Sequence, residues 1–284
     1  MKIQKMPGAI QARLGFSRRD DEPSAPGDIG VPGYPDNRVV PVACTIRNAR
    51  LAGTSINKEG FELATHRSAF TPERDRSVLA RGYHAEMAAF LTDYLGASVV
   101  LPSGESALLV RYGERLVGRG EFDRPTDIID DRIPASFAHL DYYPQSAIQS
   151  ADHVAPGLSG YSRMMIIQTW RAVSGSPQDV PLALCDRRWL EEGDISPRTG
   201  ILAPENAPAG ADPAFTVGGI HHNASQKWYY FPDMEPEEVL LFTGYDSASD
   251  DGWKVAHAAF DNRHNQSDGI ARVSIEARFY AWFG

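Results

Sequence analysis

The sequence predicts a mostly β protein, a β-sandwich or jelly roll that is supported by helices. After about residue 137 the chain carries many short segments rich in β-branched and aromatic residues, separated by Gly, Pro, Asn and Asp. Before them lies one clear helical segment with an apolar stripe, over residues 71–96. Many short strands after one main helix are typical of a sandwich or jelly roll.

Length and composition set the class of protein. The chain has 284 residues, of which 42% are apolar, and this suits one large domain with extensions. A formal net charge of -9 argues against binding a nucleic-acid backbone. No apolar run is long enough to span a membrane, and the N-terminus lacks the apolar core of a secretory signal. We therefore expect a cytoplasmic protein that binds neither nucleic acid nor a membrane, and a homodimer stays open.

The first part of the chain predicts an arm, a strand and a helix. Residues 1–37 are expected to form a flexible arm, because 17–37 combine Pro, Gly and charges. The stretch "RVVPVACTIRNARLAG" predicts a strand and a turn, and "ASVVLPSGESALLVRY" predicts strand or mixed structure. In "TPERDRSVLARGYHAEMAAFLTDYLG", Thr71 can cap the helix, Pro72 suits its first position and Gly96 can end it.

Residues 38–284 are expected to form a single domain in which short strands follow one another. Predicted strands lie in "SRMMIIQTWRAV", "VPLALCD", "KWYYF", "EEVLLFTGYDS", "WKVAHAAF" and "ARVSIEARFYAWF". Residues 191–226 are rich in Pro, Gly and Ala and predict a long loop, which in a domain of this kind is functional or mobile. Cys44 and Cys185 fit buried free thiols, which suits an intracellular protein.

The stretch "FAHLDYYP" carries a candidate metal site. His139 and Asp141 share one face of an extended segment, because side chains alternate along a strand. On its own the pattern is weak, and the alternative is an aspartate that caps a turn beside a half-buried histidine. His257 differs from the other histidines because it lies inside an apolar strand pattern, "WKVAHAAFD". Two histidines and one carboxylate form the metal triad of non-haem Fe(II) oxygenases.

The next predicted strand offers a site for a carboxylate. Arg272 and Ser274 lie two residues apart, so a guanidinium and a hydroxyl share one face and can bind an anion together. The alternative for Arg272 is an exposed charge on an edge strand. The combination His-x-Asp, then His, then Arg-x-Ser, in this order and on strands, is much less expected by chance than any one of these motifs.

With these motifs the sequence resembles a family of non-haem iron, 2-oxoglutarate-dependent oxygenases. The family includes the cephalosporin C-7 hydroxylase component, the fungal gibberellin desaturase and the meroterpenoid endoperoxide-forming enzyme. The resemblance covers roughly residues 36 to 283. It is carried by "HLDYYPQSA", "QTWRAVSGSPQDVPLALCD", "KWYYFPDMEPEEVLLFTGYDS", "HAAFD" and "ARVSIEARFYAWF". The family often has Trp-Arg-Pro where this chain has Trp170-Arg171-Ala172, which leaves the local loop shape open.

The resemblance implies a fold, cofactors and a reaction. The fold is a double-stranded β-helix, a cupin-like jelly roll, and the cofactors are Fe(II), 2-oxoglutarate and O2 as cosubstrate. The implied metal ligands are His139, Asp141 and His257, and the implied clamp for the distal carboxylate of 2-oxoglutarate is Arg272 with Ser274. The reaction is oxidation of a C–H bond of a small specialised metabolite by hydroxylation, desaturation or oxidative cyclisation. It is coupled to decarboxylation of 2-oxoglutarate to succinate.

Further residues are candidates for the cosubstrate or substrate site. Gln168 is predicted to contact the cosubstrate and shares a face with Trp170. Arg171 points to the other face, where it could bind the cosubstrate or an acidic substrate, or pair with Asp179 or Asp186. A substrate pocket is predicted from aromatic residues, for which core packing is the alternative. These are Tyr142, Trp170, Trp228 and Tyr230.

Two other functions stay open from the sequence. A jelly-roll metal hydrolase or isomerase could use the same triad with zinc, in which case Arg272 and Ser274 would bind a substrate carboxylate. A non-catalytic binding jelly roll is the other alternative. In that case the three candidate ligands need not converge.

Overall fold

A computed structural model describes residues 7–20, 29–31, 34–70, 76–104, 108–113, 134–201, 214–249 and 254–284. Within these ranges the chain forms two β-sheets and two α-helices, α1 (Arg76–Leu95) and α2 (Pro144–Val154). The first sheet contains β1 (Ala9–Ser17), β2 (Ile29–Val31), β3 (Tyr34–Asn48), β7 (His139–Leu140), β9 (Leu182–Cys185), β10 (Ile195–Ile201), β11 (Ala214–Ile220), β12 (Trp228–Tyr230) and β14 (His257–Ala259). The second sheet contains β4 (Phe61–Thr65), β5 (Val99–Pro102), β6 (Leu109–Tyr112), β8 (Arg163–Ala172), β13 (Glu238–Asp246) and β15 (Val273–Phe283).

The connections between the strands identify the fold. The first sheet has the order β1-β3-β12-β9-β14-β7-β11-β10, with β2 beside β3, and the second has β4-β13-β8-β15-β5, with β6 beside β15. From β7 onward the chain passes repeatedly between the sheets, so strands that are neighbours in space are far apart in sequence. This arrangement is a jelly roll, and the prediction of a double-stranded β-helix is confirmed. The predicted strands that correspond to β8, β9, β12, β13, β14 and β15 are all present.

The two faces of the second sheet have different environments. Alternate residues of β8 and β15 pack against α1 in one apolar cluster, which includes Ile167, Ile275, Ala277 and Phe279 with Leu79, Tyr83, Met87 and Leu91. The residues between them face the first sheet. Helix α1 ends at the predicted place, because Gly96 adopts a left-handed conformation with φ 65°. Thr71 and Pro72 lie outside the described residues.

The predicted N-terminal arm is wrong for residues 9–17, which form β1. This strand pairs with β3 along its whole length, from Ala9↔Arg47 to Ser17↔Val39. The physical reason is visible in "AIQARLGFS", where apolar residues alternate with other residues, and Leu14 and Phe16 are almost completely buried. Residues 29–31 also form a strand, β2, which pairs with β3.

The predicted loop over 191–226 is also wrong in part. Strands β10 and β11 pair from Ile195↔Ile220 to Ile201↔Ala214, while residues 202–213 lie outside the described part. Strand β11 then pairs with β7 through Gly219↔His139, so it supports the candidate metal motif from one side. Glycine is needed here, since a Cβ on Gly219 would lie 2.6 Å from Ser17 Oγ and 2.7 Å from Arg198 Cγ. The glycines that suggested a loop therefore serve close packing between strands.

Helix α2 was not predicted from the sequence. It begins at Pro144, three residues after Asp141, and the backbone N–H of Tyr143 donates to Ser146 Oγ at 2.9 Å. The helix therefore holds the segment that follows the candidate metal motif. Neither α-helix in the described ranges is long and apolar enough to span a membrane.

Candidate metal centre

His139 and His257 are direct neighbours across two short strands. His257 of β14 pairs with His139 of β7, and the centroids of their rings lie 4.4 Å apart. Their chain neighbours point to the opposite face of the first sheet, where Ala138, Leu140, Ala256 and Ala258 join an apolar cluster. The alternation along both strands therefore turns the two imidazoles into the space between the sheets.

Asp141 completes a group of three potential ligands. It directly follows β7, and its Oδ1 lies 3.5 Å from Nε2 of His139. One ligand atom from each of Asp141, His139 and His257 lies within 4.8 Å of the others. The residues that the sequence order predicted to converge are thus brought together, and the alternative in which they lie apart is wrong. Two imidazole nitrogens and one carboxylate oxygen suit Fe(II) with open positions for further ligands.

Backbone carbonyl groups orient both imidazoles. Nδ1 of His139 lies 2.9 Å from the carbonyl oxygen of Phe137, and Nδ1 of His257 lies 3.2 Å from that of Val255. A carbonyl oxygen only accepts hydrogen bonds, so each Nδ1 carries the proton and each Nε2 keeps its lone pair. Burial lowers the pKa of His257 to about 4. His257 is therefore neutral near pH 7, as a metal ligand must be.

Arg278 of β15 compensates the charge of Asp141. Its Nε and Nη2 donate to Oδ2 of Asp141 at 2.8 and 2.5 Å. Burial alone would raise the pKa of Asp141, but the guanidinium charge outweighs it and holds the pKa well below its usual range. The carboxylate is therefore ionised, and its other oxygen, Oδ1, is the one that lies near His139.

The predicted anion clamp is buried between the sheets. Arg272 is 1% exposed, which contradicts the alternative of a charge on an exposed edge. Its Nε donates to Ser274 Oγ at 3.0 Å and its Nη1 donates to the carbonyl oxygen of Val180 at 3.0 Å. Nη2 donates to Glu276 Oε1 at 3.0 Å, and Arg111 Nε donates to the other oxygen of Glu276 at 2.9 Å. The sequence analysis missed Glu276, although it shares the alternating face of Arg272 and Ser274.

Trp170 offers a hydrogen-bond donor next to this clamp. It is 2% exposed, and its ring centroid lies 5.0 Å from Cζ of Arg272. Its Nε1 is buried and has no hydrogen-bond partner among the described residues. An unpaired buried N–H costs about 1–3 kcal/mol, so an acceptor that binds here recovers this energy. A buried guanidinium, a hydroxyl and a free indole N–H together suit a carboxylate ligand.

Trp170 also links the clamp to the candidate metal ligands. It belongs to one apolar cluster with Leu184 and Phe242. Leu184 pairs with His257, and the ring of Phe242 lies 4.9 Å from that of His257. A ligand that reaches from the three potential metal ligands to Arg272 therefore passes the indole.

Gln168 and Tyr142 lie in the same region. Gln168 is 4% exposed, shares the inward face of β8 with Trp170 and pairs in register with Arg278. Tyr142 follows Asp141 directly, and its hydroxyl lies 3.2 Å from that of Tyr280. Both predicted residues thus lie close to the candidate metal ligands.

Arg171 lies on the other face of the second sheet, which contradicts its prediction as a cosubstrate contact. Its Nη1 donates to the carbonyl oxygens of His66 at 2.6 Å and Pro236 at 2.7 Å. Its Nη2 lies 2.7 Å from Nδ1 of His66. The alternative pairing with Asp179 or Asp186 is wrong as well, since its charge is held by backbone carbonyls under α1.

Trp228 and Tyr230 are not near the candidate metal ligands, so their prediction as pocket residues is wrong. They pack with Phe260, Ala256 and Ala258 on the outer face of the first sheet. The predicted alternation is correct, but the faces are reversed. Tyr229 is the residue of β12 that packs with the inner cluster, 5.9 Å from Phe61 between ring centroids.

The chain matches a known family over most of its length. The family described as oxidoreductase/YMDC permease-like domain matches residues 25–282. Hydroxylase/desaturase efuI from Hormonema carpetanum is 30% identical over 240 residues, which are 79% of this chain and 77% of that protein. Alpha-ketoglutarate-dependent dioxygenase phiK from a fungal species is 24% identical over 288 residues, 96% of this chain and 98% of that protein.

A solved structure shows the same fold. The iron and alpha-ketoglutarate-dependent endoperoxidase NvfI superposes with a TM-score of 0.76 at 21% identity. The match covers 98% of this chain and 99% of that chain. The jelly roll of this chain is therefore the fold of that protein along its whole length.

Proposed function

The chain belongs to the oxidoreductase/YMDC permease-like domain family, and on this premise we propose that it is a non-haem iron, 2-oxoglutarate-dependent dioxygenase. Its substrate is a small specialised metabolite, which it oxidises at a C–H bond by hydroxylation, desaturation or oxidative cyclisation. Similarity to a hydroxylase/desaturase and to an alpha-ketoglutarate-dependent dioxygenase supports the proposal. The observation that carries it is the convergence of His139, Asp141 and His257 beside a buried arginine and serine.

In this proposal each side chain of the inter-sheet space has a distinct role. His139, His257 and Asp141 would hold the iron, the histidines through the Nε2 atoms that the backbone carbonyls leave free and the aspartate through the oxygen that Arg278 does not contact. When bound, Fe(II) would supply the oxidation of the substrate by O2, coupled to decarboxylation of 2-oxoglutarate to succinate and CO2. Arg272 and Ser274 hold the distal carboxylate of 2-oxoglutarate. Their burial excludes water, which strengthens the charge interaction with the anion.

In this proposal the substrate binds next to the three candidate metal ligands. Gln168 and Trp170 contact the cosubstrate, and Tyr142 lines the adjacent space. Residues 38–284 act as one oxygenase domain, to which β1 adds an edge strand. A cytoplasmic location is part of the proposal, and the two buried free cysteines, Cys44 and Cys185, suit a reducing compartment.

The first experiment is an anaerobic titration of the metal-free protein with Fe(II) and 2-oxoglutarate. The readouts are the weak visible metal-to-ligand charge-transfer band and, after O2 is added, succinate. We expect the band in the native protein and its loss in His257→Ala and in Arg272→Ala. The matched control is His153→Ala, an exposed histidine in the last turn of α2, which should keep the band.

Two results would contradict the proposal. Iron that binds without a band on addition of 2-oxoglutarate would indicate a metal enzyme of another class, such as a hydrolase or isomerase. A native protein that binds no iron would leave a binding jelly roll as the remaining function.

A further inference from the structure

We propose that Arg278 is a positioning residue that fixes the orientation of the Asp141 carboxylate for metal binding. The inference rests on the proposed function, in which Asp141 binds iron through one oxygen. It adds a residue of the opposite sheet to the centre, since Arg278 lies on β15 of the second sheet and Asp141 follows β7 of the first.

The first argument is which oxygen Arg278 uses. Both of its donors, Nε and Nη2, bind Oδ2 of Asp141, at 2.8 and 2.5 Å. Oδ1 accepts neither and lies 3.5 Å from Nε2 of His139. The guanidinium therefore occupies one carboxylate oxygen and leaves the other turned toward the histidines.

A second arginine–aspartate pair shows that this geometry is specific. Arg163 of β8 binds Asp246 of β13 through Nε to Oδ1 at 2.8 Å and through Nη2 to Oδ2 at 2.5 Å. That pair uses both carboxylate oxygens, which is the usual side-on contact of a salt bridge. Arg163 thus engages both oxygens of Asp246, whereas Arg278 leaves one oxygen of Asp141 without an arginine contact.

The rigidity of β15 makes Arg278 suitable for this role. The strand pairs with β8 from Ser274↔Ala172 to Phe283↔Arg163, and Arg278 lies in the middle of this ladder, opposite Gln168. The side chains of Arg278 and Asp141 are 16% and 13% exposed, so water competes little for the contact. Without the guanidinium, the carboxylate could rotate about its Cβ–Cγ bond and would lose its preferred orientation.

Arg278 and Arg272 lie on the same inward face of one strand but have different partners. Arg272 contacts Ser274, Glu276 and the carbonyl of Val180, while Arg278 contacts the candidate metal ligand. We therefore assign Arg272 to the cosubstrate and Arg278 to the metal ligand. The two roles predict different binding defects.

The test is a titration of metal-free protein with Co(II) in the absence of 2-oxoglutarate. Binding is measured by calorimetry and by the visible spectrum of the bound ion. The variant is Arg278→Lys, which keeps the charge but loses the planar pair of donors. We expect a loss of Co(II) affinity of about tenfold or more and a changed spectrum, because supporting contacts of ligands are typically worth about 10–100-fold in metal affinity. Asp141→Ala is the reference for loss of the ligand itself.

The matched control is Arg163→Lys, which alters the half-buried Arg163–Asp246 pair on the same sheet. It should leave Co(II) affinity within about twofold. Thermal unfolding of both variants shows how far each one loosens the fold. An equal loss of Co(II) affinity in the two variants would overturn the inference, since the effect would then be one of stability.

Two further outcomes would also overturn it. One is native Co(II) affinity in Arg278→Lys. The other is a loss of affinity for 2-oxoglutarate alone, which would make Arg278 a cosubstrate contact. The proposed function is judged separately by succinate formation in the native protein. A native protein that binds Co(II) but forms no succinate contradicts the function alone, while normal turnover with an unchanged Arg278→Lys titration contradicts the inference alone.

Discussion

Single hydrogen bonds decide what the side chains between the sheets can bind. The carbonyl groups of Phe137 and Val255 each hold a histidine Nδ1, so both Nε2 atoms are available to a metal. Arg278 does the same for Asp141 by occupying one of its two oxygens. Trp170 is the opposite case, because its buried N–H has no partner among the described residues.

A prediction at the residue scale concerns this indole N–H. Trp170→Phe keeps an aromatic ring but removes the donor, so we expect 2-oxoglutarate to bind about fivefold to tenfold more weakly, which corresponds to about 1 kcal/mol for one hydrogen bond. Metal affinity without 2-oxoglutarate should stay native. The measurement is calorimetric titration of the metal-loaded protein with 2-oxoglutarate.

The matched control for Trp170 is Trp228→Phe. Trp228 lies on the outer face of the first sheet, where its Nε1 donates to Gln226 Oε1 at 3.4 Å. We expect this variant to bind 2-oxoglutarate like the native protein. Equal weakening by both substitutions would mean that ring packing, and not the N–H of Trp170, matters for the cosubstrate.

Among the elements, β1 and β11 have the most direct influence on the candidate metal motif. The N–H of Gly15 in β1 donates to the carbonyl of Ser136 at 3.0 Å, and the N–H of Ala138 donates to the carbonyl of Gly15 at 2.7 Å. Strand β11 pairs with His139 through Gly219. Two segments that look irregular in the sequence thus hold the backbone at the first histidine and just before it.

A prediction at the element scale tests the role of β1. Leu14→Ala should lower the free energy of unfolding by about 2–5 kcal/mol. The reason is that Leu14 of β1 is completely buried in the apolar cluster on the outer face of the first sheet. The measurement is urea denaturation. Gln11→Ala, on an exposed position of the same strand, should change stability by less than about 0.5 kcal/mol. A negligible effect of Leu14→Ala on the free energy of unfolding would instead support the prediction that this segment is a flexible arm.

At the scale of the whole molecule, ion pairs join the two sheets outside the central space. Arg50 follows β3 of the first sheet, and Glu238 begins β13 of the second. Nη1 and Nη2 of Arg50 donate to the two oxygens of Glu238 at 2.8 and 2.6 Å. Arg50 Nε also donates to the carbonyl oxygen of Pro232 at 2.8 Å. This contact links the end of β3 in the first sheet to the start of β13 in the second.

A pH-dependent loss of stability is expected from this pair. Burial would raise the pKa of Glu238, but its hydrogen bond with Arg50 outweighs burial and lowers the pKa below the ordinary value of 4.5. A lowered pKa in the folded state means that the pair stabilises the protein above about pH 4.5 and that this contribution is lost as the pH falls through the folded pKa. Glu238→Gln should cost about 1–2 kcal/mol at pH 7 and progressively less below pH 4.5.

The measurement is urea denaturation of the native protein and of Glu238→Gln between pH 7 and pH 3. Glu237→Gln, which alters the exposed neighbour, is the control and should follow the native curve. A difference between Glu238→Gln and the native protein that does not shrink with falling pH would show that the carboxylate charge is not its cause.

Much of the fold and of the candidate site can be predicted because side chains alternate along strands. Alternation places His139 with Asp141 and Arg272 with Ser274, and the apolar pattern around His257 distinguishes it from the other histidines. Pattern alone was insufficient where composition misled, as in β10 and β11, whose glycines suggest a loop but serve close strand packing. It also could not show which face of β12 points inward, since either face of an apolar strand can be the buried one.

Local features can be predicted from the sequence: strands such as β8, β13 and β15, helix α1, and which side chains of a strand share a face. These features depend on the periodicity and turn residues of each segment, so they can be predicted without knowledge of the segments that pack against it. Which faces of the two sheets contact each other depends on the tertiary structure. The register His257↔His139, the contact of Arg278 with Asp141 across 137 residues, and the exclusion of Arg171, Trp228 and Tyr230 all depend on how the two sheets stack. The stacking of the sheets depends on the packing of the whole core. Because the hydrophobic effect is non-directional, the sequence of an apolar face does not specify which other face it packs against.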